Sequence, residues 1–178
     1  MNVQRYVVSD LVSNTKVLRS GERLLLSGTV YTARDAAHKR IVELIKEKKE
    51  LPFLLKDSCV YYCGPSAVKH SSYVVVCGPT TSYRMDVFAE MFLEKGAKIF
   101  IGKGRRSDTV KNCIKKHEAL YLVATGGIAA LLSKTVQECE LVGFDDLGPE
   151  AVYKLVVKDM PLTVAIDADG NDIFCRKN

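Results

Sequence analysis

The chain lacks any apolar run long enough to cross a membrane, and Met1 to Asp10 lack the hydrophobic segment of a secretion signal. We therefore expect a cytoplasmic protein with no membrane partner. Low-complexity tracts, internal repeats and Pro- or Ser-rich linkers are also missing. Because nothing marks an internal boundary, we expect residues 1–178 to form a single domain of ordinary globular size.

Several common nucleotide-binding and catalytic signatures are missing as well. No Gly-x4-Gly-Lys-Ser/Thr motif occurs, and Gly102-Lys103-Gly104 is not followed by the third glycine of a dinucleotide fingerprint. No serine lies in a nucleophile elbow, and the three histidines are too scattered in sequence to predict a metal set. These patterns exclude the corresponding classes of nucleotide-binding protein and serine hydrolase.

Cysteine is present, but not in a metal-binding pattern. None of the six cysteines forms a C-x-x-C pair. Cys59 and Cys63 lie on an expected strand, which would hold their backbones about 13 Å apart, too far to clasp one metal ion. We therefore predict free buried thiols in a reducing compartment for all six cysteines: Cys59, Cys63, Cys77, Cys113, Cys139 and Cys175.

The net charge of +5 is modest, and its excess is local. Basic residues cluster from Lys103 to Lys116, and acidic residues follow from Glu138 to Glu150. The basic stretch has no interleaved aromatic residues and alternates with apolar helix positions, which indicates a solvated helix face. We therefore expect a small anionic ligand and no nucleic-acid partner.

Interspersed strands and helices predict an α/β fold with a mixed sheet and flanking helices. The expected strands lie near 24–31, 58–63, 73–77, 98–101, 120–124, 140–143 and 162–166. The expected helices lie near 35–48, 85–95, 107–117 and 126–133, with a further short one near 148–154. The tail from Thr163 to Phe174 is interpreted as a terminal hairpin. Its Asp-x-Asp-Gly segment is interpreted as the turn and not as a calcium loop, because the glycine comes too early and no glutamate follows.

The most informative segment is GPTTSYRMD, from Gly78 to Asp86. It follows Tyr73 to Val76, a run typical of a strand covered on both faces, and it precedes a helical pattern. Free N–H groups at a helix start favour negative charge, and an arginine can bind a carboxylate through two hydrogen bonds. The segment therefore predicts a site for an oxygen-rich anion, with an ordinary Gly-Pro turn and a surface arginine as the alternative.

Three other expected strand ends carry similar residues. Arg34 stands where the first strand becomes a helix, and Lys103 lies between two glycines that allow close backbone approach. Gly126 and Gly127 end a fourth strand. Because open α/β sheets bind ligands outside the carboxyl ends of their strands, we expect these residues to converge on one site.

Five motifs, read in order and spacing, resemble the β subunit, or C-terminal part, of class I fumarate hydratases and the related L-tartrate dehydratases. They lie between about Leu24 and Asp172 and read LSGTVYTARDAAHKR, CGPTTSYRMD, FIGKGRRSD, VATGGIAALL and DDLGPEAVYKLVVKDMPLTVAIDADGND. The resemblance implies a swivelling β/β/α fold. It also implies hydro-lyase activity on a C4 dicarboxylate, with a [4Fe–4S] cluster held by three cysteines of a partner α subunit.

The same resemblance implies roles for individual residues. Arg34, Arg84 and Lys103 correspond to residues that bind the substrate carboxylates, and Thr80 corresponds to a proposed proton acceptor. The physics is coherent, because two carboxylates need two or three cations. Further candidates are His38, which could instead cap a helix or lie in the core, and Thr81, Gly126 and Gly127.

We therefore predict the β subunit of an iron–sulfur fumarate hydratase that interconverts fumarate and (S)-malate in an α2β2 assembly. One alternative is an L-tartrate dehydratase β subunit, and another is a non-catalytic anion-binding or regulatory module. The sequence does not separate the two substrates, because the extra hydroxyl of tartrate would be recognised by a few polar groups that lie partly on the partner chain. Tyr83 stands where the family commonly has a small residue, and its larger side chain would narrow the site.

Overall fold

The computed structural model describes residues 3–68, 74–124 and 129–175. Its helices are α1 (Val8–Ser13), α2 (Asp35–Lys46), α3 (Asp86–Glu94), α4 (Asp108–Lys116) and α5 (Ala129–Thr135). Its strands are β1 (Gln4–Val7), β2 (Arg23–Thr32), β3 (Cys59–Tyr61), β4 (Ser66–Val68), β5 (Val74–Val76), β6 (Ile99–Gly102), β7 (Leu120–Val123), β8 (Val136–Gly143) and β9 (Val152–Ile166). Short 3-10 turns occur at Thr15–Val17, Ser82–Met85, Asp145–Glu150 and Ile173–Cys175.

The main sheet has the strand order β1-β2-β3-β6-β7-β9-β8. Strands β2, β3, β6 and β7 are parallel, whereas β9 runs antiparallel to β2, β7 and β8. Because β9 pairs with both β7 and β2, the sheet closes into a five-strand barrel of β2, β3, β6, β7 and β9. The structure thus confirms the α/β class and the mixed sheet with flanking helices.

The short barrel strands bury both faces, as their continuous apolar runs require. In β6, Ile99 and Ile101 belong to one buried cluster and Phe100 belongs to the other. β3 and β7 alternate in the same way, because successive side chains of a strand point to opposite faces. The second cluster includes Ile41, Phe92 and Ile114, so it lies between the sheet and α2, α3 and α4.

The parallel strands place their carboxyl ends at one edge of the barrel. Arg34 follows β2, and Lys103 follows β6. The segment that begins at Pro79 reaches the same edge, because Pro79 forms an antiparallel bridge with Cys63, just after β3. The fold therefore gathers three of the segments singled out in the sequence.

In the second half of the chain one expected helix is wrong and one expected strand is longer than predicted. The helix near 148–154 does not form: Asp145–Glu150 makes a 3-10 turn that contains Pro149, and β9 begins at Val152. The expected strand at 162–166 is only the last part of β9, which has 15 residues. Pairing with three neighbouring strands extends β9 beyond what its own pattern indicates.

The run at 73–77 also differs from the expectation. Val74–Val76 pairs with Ser66–Val68 in a separate two-stranded antiparallel ribbon, not within the barrel, and Tyr73 lies outside the described residues. The terminal hairpin is reduced to one antiparallel bridge, between Ile166 and Asp172. β1, α1 and β4 lie where no element is predicted.

All six cysteines are free, as predicted, but the prediction that they are buried is wrong for two of them. Cys59, Cys63, Cys77 and Cys113 are buried free thiols, whereas Cys139 and Cys175 are exposed. Cys139 lies on β8, which pairs with β9 alone among the described strands. Among the described helices, none is long and apolar enough to span a membrane.

Candidate anion-binding site at the strand ends

Arg34 lies between the end of β2 and the first turn of α2. Its Nη2 is 3.3 Å from Glu150 Oε1, and the other oxygen of Glu150 accepts the N–H of Ala36 at 3.0 Å. The carboxylate of Glu150 therefore caps the start of α2 and also pairs with Arg34. A negative charge at this position interacts favourably with the positive end of the helix dipole. Gly64 makes room for this contact, because a Cβ there would lie 2.7 Å from the Pro149 carbonyl oxygen.

Asp35 brings Arg34 and Arg84 together. Arg84 Nε lies 3.0 Å from Asp35 Oδ1, and Arg34 Nη2 lies 4.0 Å from Asp35 Oδ2. The side chain of Arg34 is 25% exposed and that of Arg84 is 53% exposed. Two guanidinium groups from separate loops thus meet at one carboxylate, an arrangement that can bind two carboxylates of a small ligand.

Thr80 and Thr81 cross the ends of β3 and β6. The N–H of Thr80 donates to the carbonyl of Tyr62 at 2.6 Å, and Thr81 forms a parallel bridge with Lys103. Thr80 is half-buried, whereas Thr81 and Lys103 are exposed. The structure therefore places Lys103 beside the segment that carries both threonines.

His38 lies behind Arg34 in an aromatic part of the core. Its Nδ1 is 2.9 Å from the carbonyl oxygen of Arg34, so Nδ1 carries the hydrogen and Nε2 does not. Its ring stacks on Phe92 at 4.4 Å and meets Tyr62 edge-on at 5.3 Å. Contact between His38 and a ligand stays a prediction, and Gly126 and Gly127 lie outside the described residues.

The burial of His38 predicts a pH-dependent loss of stability. Burial lowers the pKa of His38 from 6.5 to about 4, so below pH 6.5 the unfolded chain binds a proton that the folded chain rejects. Stability therefore falls as the pH falls from 6.5 towards 4, by about 2 kcal/mol at pH 5 relative to neutral pH. Urea unfolding measured from pH 7.5 to 4.5 for the wild type and His38→Phe tests this.

The difference between the two proteins isolates His38, because the other titrating groups are common to both. In the Phe variant, the free energy of unfolding should depend less steeply on pH, because the His38 contribution is gone. The missing hydrogen bond should also lower the free energy of unfolding by an amount that does not depend on pH. Parallel stability curves for the two proteins over this range would contradict the prediction.

Arg106 is buried, which corrects its assignment to a solvated basic face. Its Nε lies 2.5 Å from Asp86 Oδ1, and the side chains of Arg106 and Asp86 are 0% and 9% exposed. The guanidinium also lies 5.2 Å from the ring centroid of Tyr62 and 5.1 Å from that of Tyr121. Burial lowers the pKa of Arg106, but Tyr62 and Asp86 outweigh burial and keep the group charged.

Sequence reasoning missed Asp35, Glu150, Asp86 and Arg106. An acidic residue in a helix's first turn ordinarily indicates only favourable interaction with the helix dipole, so Asp35 and Asp86 gave no separate signal. Glu150 lies far from Arg34 in sequence, within a motif to which no role was assigned. Arg106 is next to the exposed Arg105, and the helical pattern does not distinguish them.

A mixed α/β barrel that presents arginine and lysine at the carboxyl ends of its strands defines a protein suited to a small anionic ligand. The chain belongs to a known family, because residues 2–177 match the family model described as Fumarase C-terminus. The family resemblance inferred from the five motifs is thereby confirmed.

Individual relatives include two kinds of enzyme. The chain is 41% identical to the putative L(+)-tartrate dehydratase subunit beta of Methanocaldococcus jannaschii, over 93% of this chain and 88% of the relative. It is 38% identical to fumarate hydratase 2 of Leishmania major, over 88% of this chain and 28% of the relative. It is 39% identical to the anaerobic class I fumarate hydratase of Escherichia coli, over 85% of this chain and again 28% of the relative.

The chain therefore spans less than a third of the fumarate hydratases that it matches. Both kinds of relative are hydro-lyases, so the chain belongs to a hydro-lyase family. The tartrate dehydratase relatives are named as beta subunits.

Proposed function

We propose that this chain is the β subunit of a hydro-lyase that reversibly hydrates fumarate to (S)-malate. The observation that carries the proposal is the meeting of Arg34 and Arg84 at Asp35. A C4 dicarboxylate presents two carboxylates a few ångströms apart, and two neighbouring guanidinium groups match that pattern. The swivelling β/β/α description and a cytoplasmic location belong to the same proposal.

Each candidate residue has a role in this proposal. Arg34, Arg84 and Lys103 bind the substrate carboxylates and stabilise the negative charge that develops when the neighbouring carbon loses a proton. Thr80 accepts that proton or passes it on. A threonine hydroxyl is a weak base at neutral pH, so the positive charge of Arg84 and Lys103 must favour its deprotonated form, or a group on the partner must take the proton onward.

The [4Fe–4S] cluster is proposed to lie on a partner α subunit. Within residues 3–68, 74–124 and 129–175, no three His, Cys, Asp or Glu side chains are arranged to hold a metal ion. Burial also raises the pKa of Cys59 and Cys63, which favours the thiol over the thiolate that ligates iron. The described residues of this chain therefore do not fit the cluster, and no step of the proposal uses a metal held by this chain.

The isolated chain is expected to be folded, colourless and inactive, because the proposal places the cluster and part of the site on the partner. Anaerobic co-expression with an α subunit should restore turnover, measured with malate, fumarate and tartrate as substrates. A brown [4Fe–4S] absorbance in the pure chain after anaerobic reconstitution would contradict the placement of the cofactor. An assembled complex that binds dicarboxylates without turnover would favour the non-catalytic anion-binding module.

One observation favours L-tartrate as the alternative substrate. The chain covers 88% and 80% of two tartrate dehydratase beta subunits, but 28% of the fumarate hydratases. Tyr83 is 64% exposed, so its ring is accessible to a partner or substrate group. The ratio of kcat/KM for tartrate to that for malate, measured in the same complex, decides between the two enzymes.

A further inference from the structure

We propose that Ser82 and Tyr121 are positioning residues, which fix the segment from Thr80 to Arg84 against Lys103. The inference rests on the proposed function, because it concerns the spacing of residues proposed to bind and convert the substrate. Neither positioning residue is proposed to touch the substrate. Both act through the backbone of the two segments.

Ser82 is fully buried and makes two bonds to the same residue. Its N–H donates to the carbonyl of Lys103 at 3.0 Å, and its Oγ accepts the N–H of Lys103 at 3.1 Å. A two-point contact of this kind fixes both distance and orientation. Thr80 and Arg84 are each two residues from Ser82, so any shift of Ser82 moves both of them relative to Lys103.

Tyr121 reaches this contact from β7. Its hydroxyl lies 2.9 Å from Ser82 Oγ and 2.9 Å from the carbonyl oxygen of Gly104. The hydroxyl of Tyr121 therefore contacts both the segment that carries Thr80 and Arg84, through Ser82, and the segment that carries Lys103, through Gly104. Burial raises the pKa of Tyr121, so its hydroxyl stays protonated and acts as a hydrogen-bonding group, not as an acid.

The end of β6 is shaped to admit Ser82. A Cβ on Gly102 would overlap with Ser82 Oγ, and it would lie 3.0 Å from the ring of Tyr62. Only a glycine at this position lets the hydroxyl of Ser82 approach the strand closely enough to bond Lys103.

A second pair of hydrogen bonds joins the same two segments, three to four residues after Ser82 and Lys103. Asp86, the first residue of α3, accepts Arg106 Nε at 2.5 Å through one oxygen and the N–H of Ser107 at 2.7 Å through the other. The segments 82–86 and 103–107 are therefore fastened at both ends. Buried bonds of this kind transmit small displacements, because the surrounding core is close-packed.

The test uses Tyr121→Phe, which removes one hydroxyl and keeps the ring, and Ser82→Ala. Both variants and the wild type are assayed for kcat/KM in the complex with the α subunit. The control is Thr15→Val, because Thr15 is also buried and its hydroxyl donates to the carbonyl of Glu118 at 2.6 Å, before the amino end of β7. Amide hydrogen exchange of Lys103, followed by NMR in the isolated chain, provides a readout that does not depend on activity.

Each of the two variants should lower kcat/KM by about tenfold or more, as expected for a small misplacement of catalytic groups. The double variant should be no worse than the more impaired single variant, because both changes release the same contact. Thr15→Val should stay within about twofold of the wild type despite a comparable loss in Tm. The Lys103 amide should exchange at least about tenfold faster in Ser82→Ala than in the wild type or Thr15→Val.

A kcat/KM for Tyr121→Phe equal to that of the wild type would overturn the inference, and so would unchanged exchange of the Lys103 amide in Ser82→Ala. A wild-type complex that turns over none of the three substrates would overturn the proposed function instead. The exchange experiment would still decide whether Ser82 holds Lys103.

Discussion

Replacing Thr80 with valine is expected to lower kcat by roughly 10²-fold or more and to change KM little, because proton transfer matters in the transition state more than in ground-state binding. Valine keeps the branched shape and removes only the hydroxyl. The N–H of Thr80, which donates to the Tyr62 carbonyl, is unaffected by the substitution. Steady-state kinetics in the reconstituted complex measures the effect.

Two further variants serve as controls for Thr80. Thr80→Ser keeps the hydroxyl and should retain part of the activity. Thr81→Val removes a hydroxyl from the same segment, but Thr81 is exposed and contacts Lys103 through its backbone, so this variant should affect stability more than kcat. Normal turnover by Thr80→Val together with impaired turnover by Thr81→Val would show that the other hydroxyl carries the proton.

Arg34→Lys and Arg84→Lys are each expected to cost about 2–3 kcal/mol in catalytic efficiency, although both keep the charge. Lysine replaces a planar, two-pronged donor with a single point charge. The guanidinium of Arg34 lies close to both Glu150 and Asp35. A lysine at this position would have to contact both carboxylates with a single ammonium group. The measurement is kcat/KM for a C4 dicarboxylate.

The chain offers a matched control for these substitutions in Arg40. This residue lies on α2, and its two terminal nitrogens donate to the two oxygens of Asp146 at 2.6 and 2.8 Å. Arg40→Lys breaks a two-pronged contact of the same chemistry outside the candidate site, and it should leave kcat/KM close to the wild-type value. Equal kinetics for the wild type, Arg34→Lys and Arg84→Lys would contradict the proposed carboxylate-binding roles.

Local pattern was sufficient to locate the segments of the candidate site. A strand that ends in a cation before a helical pattern is a short-range signal, and it correctly placed Arg34 and Lys103 after β2 and β6. Arg84 was placed in the right loop, although the strand before that loop belongs to a ribbon and not to the barrel. The roles of these residues in substrate binding stay predictions.

Long-range pairing was not accessible to the same reasoning. β9 is long because three strands offer it partners, and no periodicity within Val152 to Ile166 indicates which strands those are. The burial of Arg106 likewise depends on Asp86 and on two tyrosine rings that lie elsewhere in the sequence. Hydrophobic pattern identifies which faces are covered, but it does not identify the group that covers them.

The pairing of β9 with β2 has a consequence for the order of events during synthesis. Arg34 emerges early, but the carboxylate that caps its helix belongs to Glu150, and the strand that closes the barrel beside β2 follows at Val152. The barrel therefore cannot close beside β2 until more than a hundred further residues have been made. Such distant contacts slow folding, and an open sheet edge meanwhile exposes N–H and C=O groups to other chains. From this topology we expect the edge of β2 that β9 covers to stay open to pairing with other chains until β9 has been made.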